Sequence, residues 1–309
     1  MKYIIGVDVG GTNVKLGMVS PSGRVVARSH LNTKSFTRSR THLIQAIVGT
    51  IEQLIADFKI SKRDISGVGF GLPGQIDPTK GIVKFLPNIS GWKNVPLRQI
   101  IQNKLKLPVF LGNDAHLITL AEWKFGAGRG VQNLICITLG TGVGGGLILN
   151  NALYRGEGFV AGEIGHVPLN EHGPACNCGG FGCFERFVGN QVLFAKAGKI
   201  FHLPEMTTEE MFRLAGRGNR KALRFWDETA THIGNGLVGA INLLNPRLII
   251  LGGGVANNFK FLHKKIKQVI DQRAMKVQAA MVKIVQSQLG DDAGIIGAQV
   301  LVKEFLSEK

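Results

Sequence analysis

Apolar positions along this chain change rhythm in a way that predicts its elements. KYIIGVDV (residues 2–9), VKLGMVS (14–20) and RVVARSH (24–30) are short β-rich runs, parted by turn signals at Gly11-Thr12 and Pro21-Ser22-Gly23. Residues 40–59 switch to a helical period, with Leu43, Ile44, Ile47, Ile51, Leu54, Ile55 and Phe58 on one face. ISGVGFG (65–71) and PVFLGND (108–114) have no polar face, as expected of strands covered on both sides, and the second runs into a helix near Asp114. The order is strand, strand, strand, helix, strand, helix, strand, helix. NLICITLG, GGGLILNN and a short run at Ala152-Leu153-Tyr154 then repeat the opening hairpins. Helices are predicted near 189–200, 207–216, 220–244 and 257–273 and from Gly294 onward, with RLIILGGG and KIVQSQ as further strands.

A βββαβα plan thus appears twice, at a long and imperfect period. It predicts an α/β protein of two similar halves, 1–114 and 115–309, with ligands at strand C-termini facing a cleft. The helix at about 294–309 is a candidate to pack back on the first half. Gly234, Gly236 and Gly239 are costly inside the 220–244 helix and suggest close packing or a hinge, a tight helix crossing being the plainer reading.

Composition narrows the class. Hydrophobic content of 44% and charged content of 19% suit a globular protein, and runs such as LIILGGGVA fall far short of a bilayer's width. Asp8 and its glycines interrupt the opening apolar run, which reads as a buried strand and not a signal segment. A cytoplasmic protein without a membrane partner is expected. The net charge of +16 raises the question of nucleic acid. Its basic residues, at Arg38 and Arg40, Lys62-Arg63, Arg217-Arg220-Lys221 and FKFLHKKIKQ from Phe259, are dispersed, with little aromatic interleaving. They read as solvated faces that favour anionic ligands, and no specific nucleic-acid partner is expected.

Chemistry concentrates in a few places. Cys176, Cys178 and Cys183, three of the four cysteines, stand at C-x-C-x4-C spacing with His166 ten positions upstream. Three thiolates and one imidazole form the donor set of a closed, tetrahedral zinc site. Structural disulfides are disfavoured in a reducing compartment. Glu163, His166 and Glu185 beside this segment suit a polar substrate.

Three strand ends run into glycine: Gly10-Gly11-Thr12 after Asp8, Gly140 to Gly146 around Thr141 and Gly142, and Gly252-Gly253-Gly254. Such turns let backbone N–H groups approach phosphate oxygens, and three in two similar halves point to a nucleotide. No G-x-x-x-x-G-K-[ST] is present, and the two G-x-G-x-x-G strings at Gly69 and Gly140 do not open helices, so neither a Walker loop nor a dinucleotide fingerprint is expected. Asp8 is placed to orient Mg²⁺, usually through water, or to cap its turn. Asp114 at a strand end suits a general base for an attacking hydroxyl, with a helix N-cap as the plainer alternative. Asn88 and Asn113 offer amides nearby.

DVGGTNVKLG, GLPGQID, LPN followed by GW, GNDA, GTGVGGG, AGEIGH, CNCGGFGCFE and LGGG resemble the ROK family of sugar kinases and repressors, within the actin/Hsp70/hexokinase-like superfamily. The motifs run from residue 8 to about 254. The resemblance implies two actin-like ATPase (ribonuclease H-like) domains with nucleotide and sugar in the interdomain cleft. It implies Asp114 as base for the 6-hydroxyl of a hexose, with Asn88, Asn113, Glu163, His166 and Glu185 on the sugar. His166 would serve twice, joining Cys176, Cys178 and Cys183 on a structural Zn²⁺. Gly10, Gly11, Thr12, Thr141 and Gly142 would hold phosphates of ATP, and Gly253-Gly254 the adenosine side. A homodimer or homotetramer is implied. The first strand begins at residue 3, which favours the kinase branch over the DNA-binding one. An ATP-dependent glucokinase using Mg²⁺ is expected. A kinase for N-acetylmannosamine, N-acetylglucosamine or fructose is the nearer alternative, and a sugar-sensing transcriptional regulator the alternative of another class. A zinc hydrolase is disfavoured, since the four-donor site keeps no open position.

Overall fold

The computed structural model describes residues 2–36, 39–86, 91–203 and 206–307. The chain forms two compact units, the first comprising Met1–Gly130, Leu153–Ala161 and Leu289–Lys309, the second Val131–Ala152 and Gly162–Gln288.

The first unit contains β1 (Tyr3–Val9), β2 (Asn13–Val19), β3 (Val25–Asn32), α1 (Arg40–Asp57), β4 (Ile65–Leu72), β5 (Gln75–Asp77), β6 (Ile82–Phe85), β7 (Lys93–Val95), α2 (Leu97–Leu105), β8 (Val109–Asn113) and α3 (Asp114–Phe125). Its main sheet has the order β3-β2-β1-β4-β8. The first three strands pair antiparallel, and β1, β4 and β8 run parallel. A small antiparallel sheet, β5-β6-β7, lies outside the predicted elements. Its strands have three or four residues, too few for alternation to register. α1 is capped by Ser39, whose side chain accepts the His42 N–H, and it buries Leu43, Ile44, Ile47, Val48, Ile51, Leu54 and Ile55.

The second unit contains β9 (Leu134–Leu139), β10 (Val143–Leu149), β11 (Ala152–Tyr154), α4 (Glu185–Val188), α5 (Asn190–Phe201), α6 (Thr208–Gly216), α7 (Arg220–Leu244), β12 (Leu248–Gly252), α8 (Phe259–Arg273), α9 (Lys276–Met281) and β13 (Lys283–Gln286). Its sheet order, β11-β10-β9-β12-β13, repeats that of the first unit, with β12 parallel to β9 and to β13. Two of the α7 glycines have a packing reason. A side chain at Gly234 would meet Val269 of α8 at 2.7 Å, and one at Gly236 would meet the buried Phe184 ring at 2.9 Å, while Gly239 faces open space.

The last helix, α10 (Ala293–Ser307), packs on β1, β4 and α3 of the first unit. Strand β4 shows why this approach is close. Val68, Phe70 and Leu72 join the core formed with α1 and α2, while Gly67, Gly69 and Gly71 alternate onto the opposite face. A Cβ at Gly69 would stand 2.5 Å from the Ala298 carbonyl oxygen. α3 interlocks similarly, since a Cβ at Gly297 would strike the Leu117 carbonyl. This packing keeps α3 with β4 and β8, so the cut expected at residue 114 falls inside the first unit. Gly69→Val should cost about 3 kcal/mol or more, because helix backbone cannot yield as a side chain does. Its melting temperature should fall by roughly 6 °C or more, read by circular dichroism. An unchanged melt would contradict this packing.

Candidate active site

In the first unit two carboxylates stand at neighbouring strand ends. Asp8 closes β1 and pairs in register with Gly71 of β4, which pairs with Gly112 of β8, just before Asn113 and Asp114. Because residue 71 lacks a side chain, its Cβ position lies 3.7 Å from Asp8 Oδ1 and 3.5 Å from the Asp114 Cα. The acids thus flank Gly71, whose tightest neighbour is Leu117, 2.9 Å from its Cβ position. Burial, then the charge of Asp114, push the Asp8 carboxyl up to about 7, against a smaller opposing pull from Lys15. The glycine turn after Asp8 is closed by backbone, Gly10 N–H donating to Asn13 O at 2.9 Å. Buried Thr33 holds that turn from both sides, its hydroxyl donating to Gly10 O and its N–H to Thr12 O. Nothing in the sequence pattern marks Thr33 for this task.

Asn113, not Asp114, is the N-cap of α3, accepting the His116 N–H at 3.2 Å while its amide donates to Gly74 O. Asp114 is therefore the first helical residue, with Oδ1 accepting the Ala115 N–H at 2.8 Å. Two residues on, buried His116 donates from Nε2 to the Ala161 carbonyl at 2.7 Å, and burial holds its pKa down. Phe159 takes a left-handed backbone (φ 62), rare for a bulky residue. With Asn113, His116 and Arg155 it lines a cavity of about 10 Å³, room for one water. Asn88 lies outside the described residues.

The Asp8 shift gives a signed pH dependence. The folded protein keeps this proton up to about 7 and the unfolded chain releases it near 3.8, so stability falls as pH rises between those values. Asp8→Asn without nucleotide or magnesium should melt like wild type near pH 4 and several degrees higher at pH 8. The same Tm difference at both pH values would refute the shift.

In the second unit the glycine turns end adjacent parallel strands, with Gly252 of β12 opposite Thr138 of β9. Gly253 has φ 83 and its Cβ would strike the Leu139 carbonyl, so any other residue would separate the two turns. Asn190 at the start of α5 donates its N–H to Gly140 O at 2.8 Å. Glu185 ties the cysteine segment to the Thr141-Gly142 turn. Its Oε2 accepts the Val143 N–H at 3.0 Å and occupies the space a Gly142 side chain would need.

Glu163 stands beside it. Partial burial raises its pKa, with His166 opposing and Glu185 adding to the rise. His166 faces two ways: Nδ1 lies 3.7 Å from Cys176 Sγ and Nε2 lies 3.9 Å from Glu163 Oε2. A ring so placed can bind metal with one nitrogen and a hydroxyl with the other.

The ligand atoms of His166, Cys176, Cys178 and Cys183 all lie within 4.8 Å of one another. Cys178 and Cys183 sulfurs are 3.6 Å apart. Tetrahedral zinc with Zn–S near 2.3 Å sets ligand–ligand edges of about 3.5–3.8 Å, a range that the His166–Cys176 and Cys178–Cys183 separations match. The loop supports them with Cys176 N–H donating to Gly180 O and Gly179 N–H to Cys176 O. The protons are held unevenly. A Gly180 hydrogen bond, then its sulfur neighbours, bring the Cys178 thiol down to about 7, while burial and those neighbours push Cys183 up to about 12. Packed thiols compete for negative charge, which a cation would relieve. The fourth cysteine, Cys136, is buried in β9, apart from this set.

The ROK family model matches residues 4–305. The chain belongs to the ROK family. It is 33% identical to a glucokinase of Thermotoga maritima over 97% of both chains. It is also 31% identical to a xylose repressor of Caldicellulosiruptor bescii, over 97% of this chain and 77% of the repressor. Among solved structures, a ROK family glucokinase from Streptomyces griseus in complex with glucose and AMPPNP superposes with a TM-score of 0.84 at 29% identity, covering 98% of this ROK chain and 99% of that one. The two-domain actin-like α/β architecture of the family is therefore that of this ROK protein. Among its described residues no helix is long and apolar enough to cross a membrane.

Proposed function

We propose that this ROK protein is an ATP-dependent hexose kinase acting on the 6-hydroxyl of glucose, with Asp114 as general base. The observation that carries this reading is the Asp8–Asp114 pair on either side of Gly71, beside a glycine turn at the same C-terminal end of the sheet. One acid takes the proton of the attacking hydroxyl while the other serves the cation that accompanies the phosphates. Asp8, with its raised pKa, gains from a divalent cation, and Mg²⁺ when bound offsets phosphate charge. Gly10, Gly11, Thr12, Thr141 and Gly142 are assigned to the phosphates, Gly253 and Gly254 to the adenosine side.

Asn88, Asn113, Glu163, His166 and Glu185 are assigned to sugar hydroxyls. Glu185 is held by Val143, so one of its oxygens positions the turn and the other is offered to substrate. His166, Cys176, Cys178 and Cys183 would hold Zn²⁺, which when bound supplies a structural cross-link. A homodimer or homotetramer in the cytoplasm completes the reading.

The test is ADP release, coupled to NADH oxidation, over glucose, fructose, mannose, N-acetylglucosamine and N-acetylmannosamine. Glucose should give the highest kcat/KM; an N-acetylhexosamine or fructose in first place would reassign the sugar. Similarity to the xylose repressor favours a second reading, a sugar-responsive DNA-binding regulator. Hexose-independent ADP release together with a salt-sensitive shift of specific DNA would select it.

A further inference from the structure

A local excess of positive charge lines one cavity that the proposed reaction leaves unused. Lys196 and Ile200 of α5, with Lys221, Arg224, Phe225 and Glu228 of α7, line a cavity of about 310 Å³ in the second unit. That size reaches the lower end of small-molecule pockets. Glu228 accepts from Lys196 at 2.6 Å and from Arg224 at 2.9 Å. One carboxylate against three cations leaves two positive charges in excess, and no other acid among the described residues lines the cavity. Its floor is apolar, with Phe225 only 1% exposed and Ile200 half-buried. Lys196 sits 5.8 Å from the Phe225 ring centroid and Lys221 sits 5.9 Å from that of Phe201, so the cations border ring faces. Helix stability does not account for Lys221, which sits in the first turn of α7 where the helix dipole disfavours cations.

We infer that this cavity binds a ring-bearing phosphomonoester, its dianion held by Lys196, Lys221 and Arg224 and its organic part laid against Ile200, with buried Phe225 closing the floor beneath. A phosphomonoester carries about −1.5 to −2 at neutral pH, which matches the local excess. Hexose phosphates and nucleoside monophosphates share this chemistry. The site is separate from the glycine turns and does not depend on the kinase reading.

Calorimetric titration of the full-length protein with phenyl phosphate tests it, with phenol and inorganic phosphate as controls. Phenyl phosphate should bind at one site, phenol should not bind, and inorganic phosphate should bind at least about 5-fold more weakly, since burying apolar surface against Ile200 adds about 1 kcal/mol. Lys221→Glu with Arg224→Glu should weaken phenyl phosphate at least about 10-fold, or 1.4 kcal/mol, with melting temperature and any hexose-dependent ADP release unchanged. If that variant does not fold, Lys221→Gln with Arg224→Gln replaces it, with the same direction of effect. Titrating glucose 6-phosphate and AMP then distinguishes the two sources. Absence of binding to wild type, or equal affinity in wild type and variant, would overturn the site. Equal affinity for inorganic and phenyl phosphate would overturn the ring's share.

Discussion

Replacing Asp114 with Asn should lower hexose-dependent turnover by about 10²–10⁴-fold, the range a positioned general base contributes. Asn is nearly isosteric, so its side-chain carbonyl can still accept the Ala115 N–H, and α3 keeps its Asn113 cap. It has no site for the hydroxyl proton. The fall should appear in kcat, with the KM for ATP and the zinc content near wild type. Neutralising Asp114 also removes the second-largest cause of the raised Asp8 pKa. The Asp8 carboxyl should therefore titrate lower in the variant, which the pH dependence of the melt can follow. Wild-type-like turnover would remove Asp114 from the mechanism.

Loss of one metal donor should have the second large effect. Cys178 is exposed, so Cys178→Ser leaves no cavity and isolates the loss of a thiolate. Zinc content should fall from about one per chain toward zero, because a three-donor remnant binds far more weakly. The consequence travels through named contacts. His166 loses its fixed ring, Glu163 loses its imidazole neighbour, and Glu185, two residues after Cys183, loses its hold on the Val143 N–H beside Gly142. Sugar KM should rise about 10-fold or more and kcat should fall with it. The far-ultraviolet spectrum should stay near wild type, since the apolar clusters of each unit lie largely outside the segment. A zinc-free variant with unchanged sugar KM would reduce the metal to a passive staple.

The parts legible in the sequence were those with a period or a spacing. The β1 to β3 hairpins, α1 and α7 announce themselves through alternation or a helical stripe, and C-x-C-x4-C with His166 marks four donors that the fold brings together. What escaped was set by contacts distant in sequence. The alternating glycines of β4 resemble any flexible run until α10, more than 220 residues later, lies against Gly69. β5, β6 and β7 are too short for a pattern, and Thr33 earns its role only because the chain returns to the 10–12 turn. Asp114 was expected at a strand end, but its neighbour Asn113 takes the cap, a choice between adjacent Asx residues that propensity does not make. Glu122 gave no signal at all. It is fully buried and accepts the N–H groups of Ala127 and Leu289, tying the end of α3 to the segment that leads into α10.

The central claim, phosphoryl transfer from ATP to the 6-hydroxyl of glucose, is tested most directly by identifying the product. Glucose, ATP and Mg²⁺ incubated with the purified protein should give one new phosphomonoester signal in phosphorus NMR, coupled to the C6 protons of the sugar. A phosphate on the anomeric carbon, or ADP formed with no phosphorylated sugar, would contradict the account.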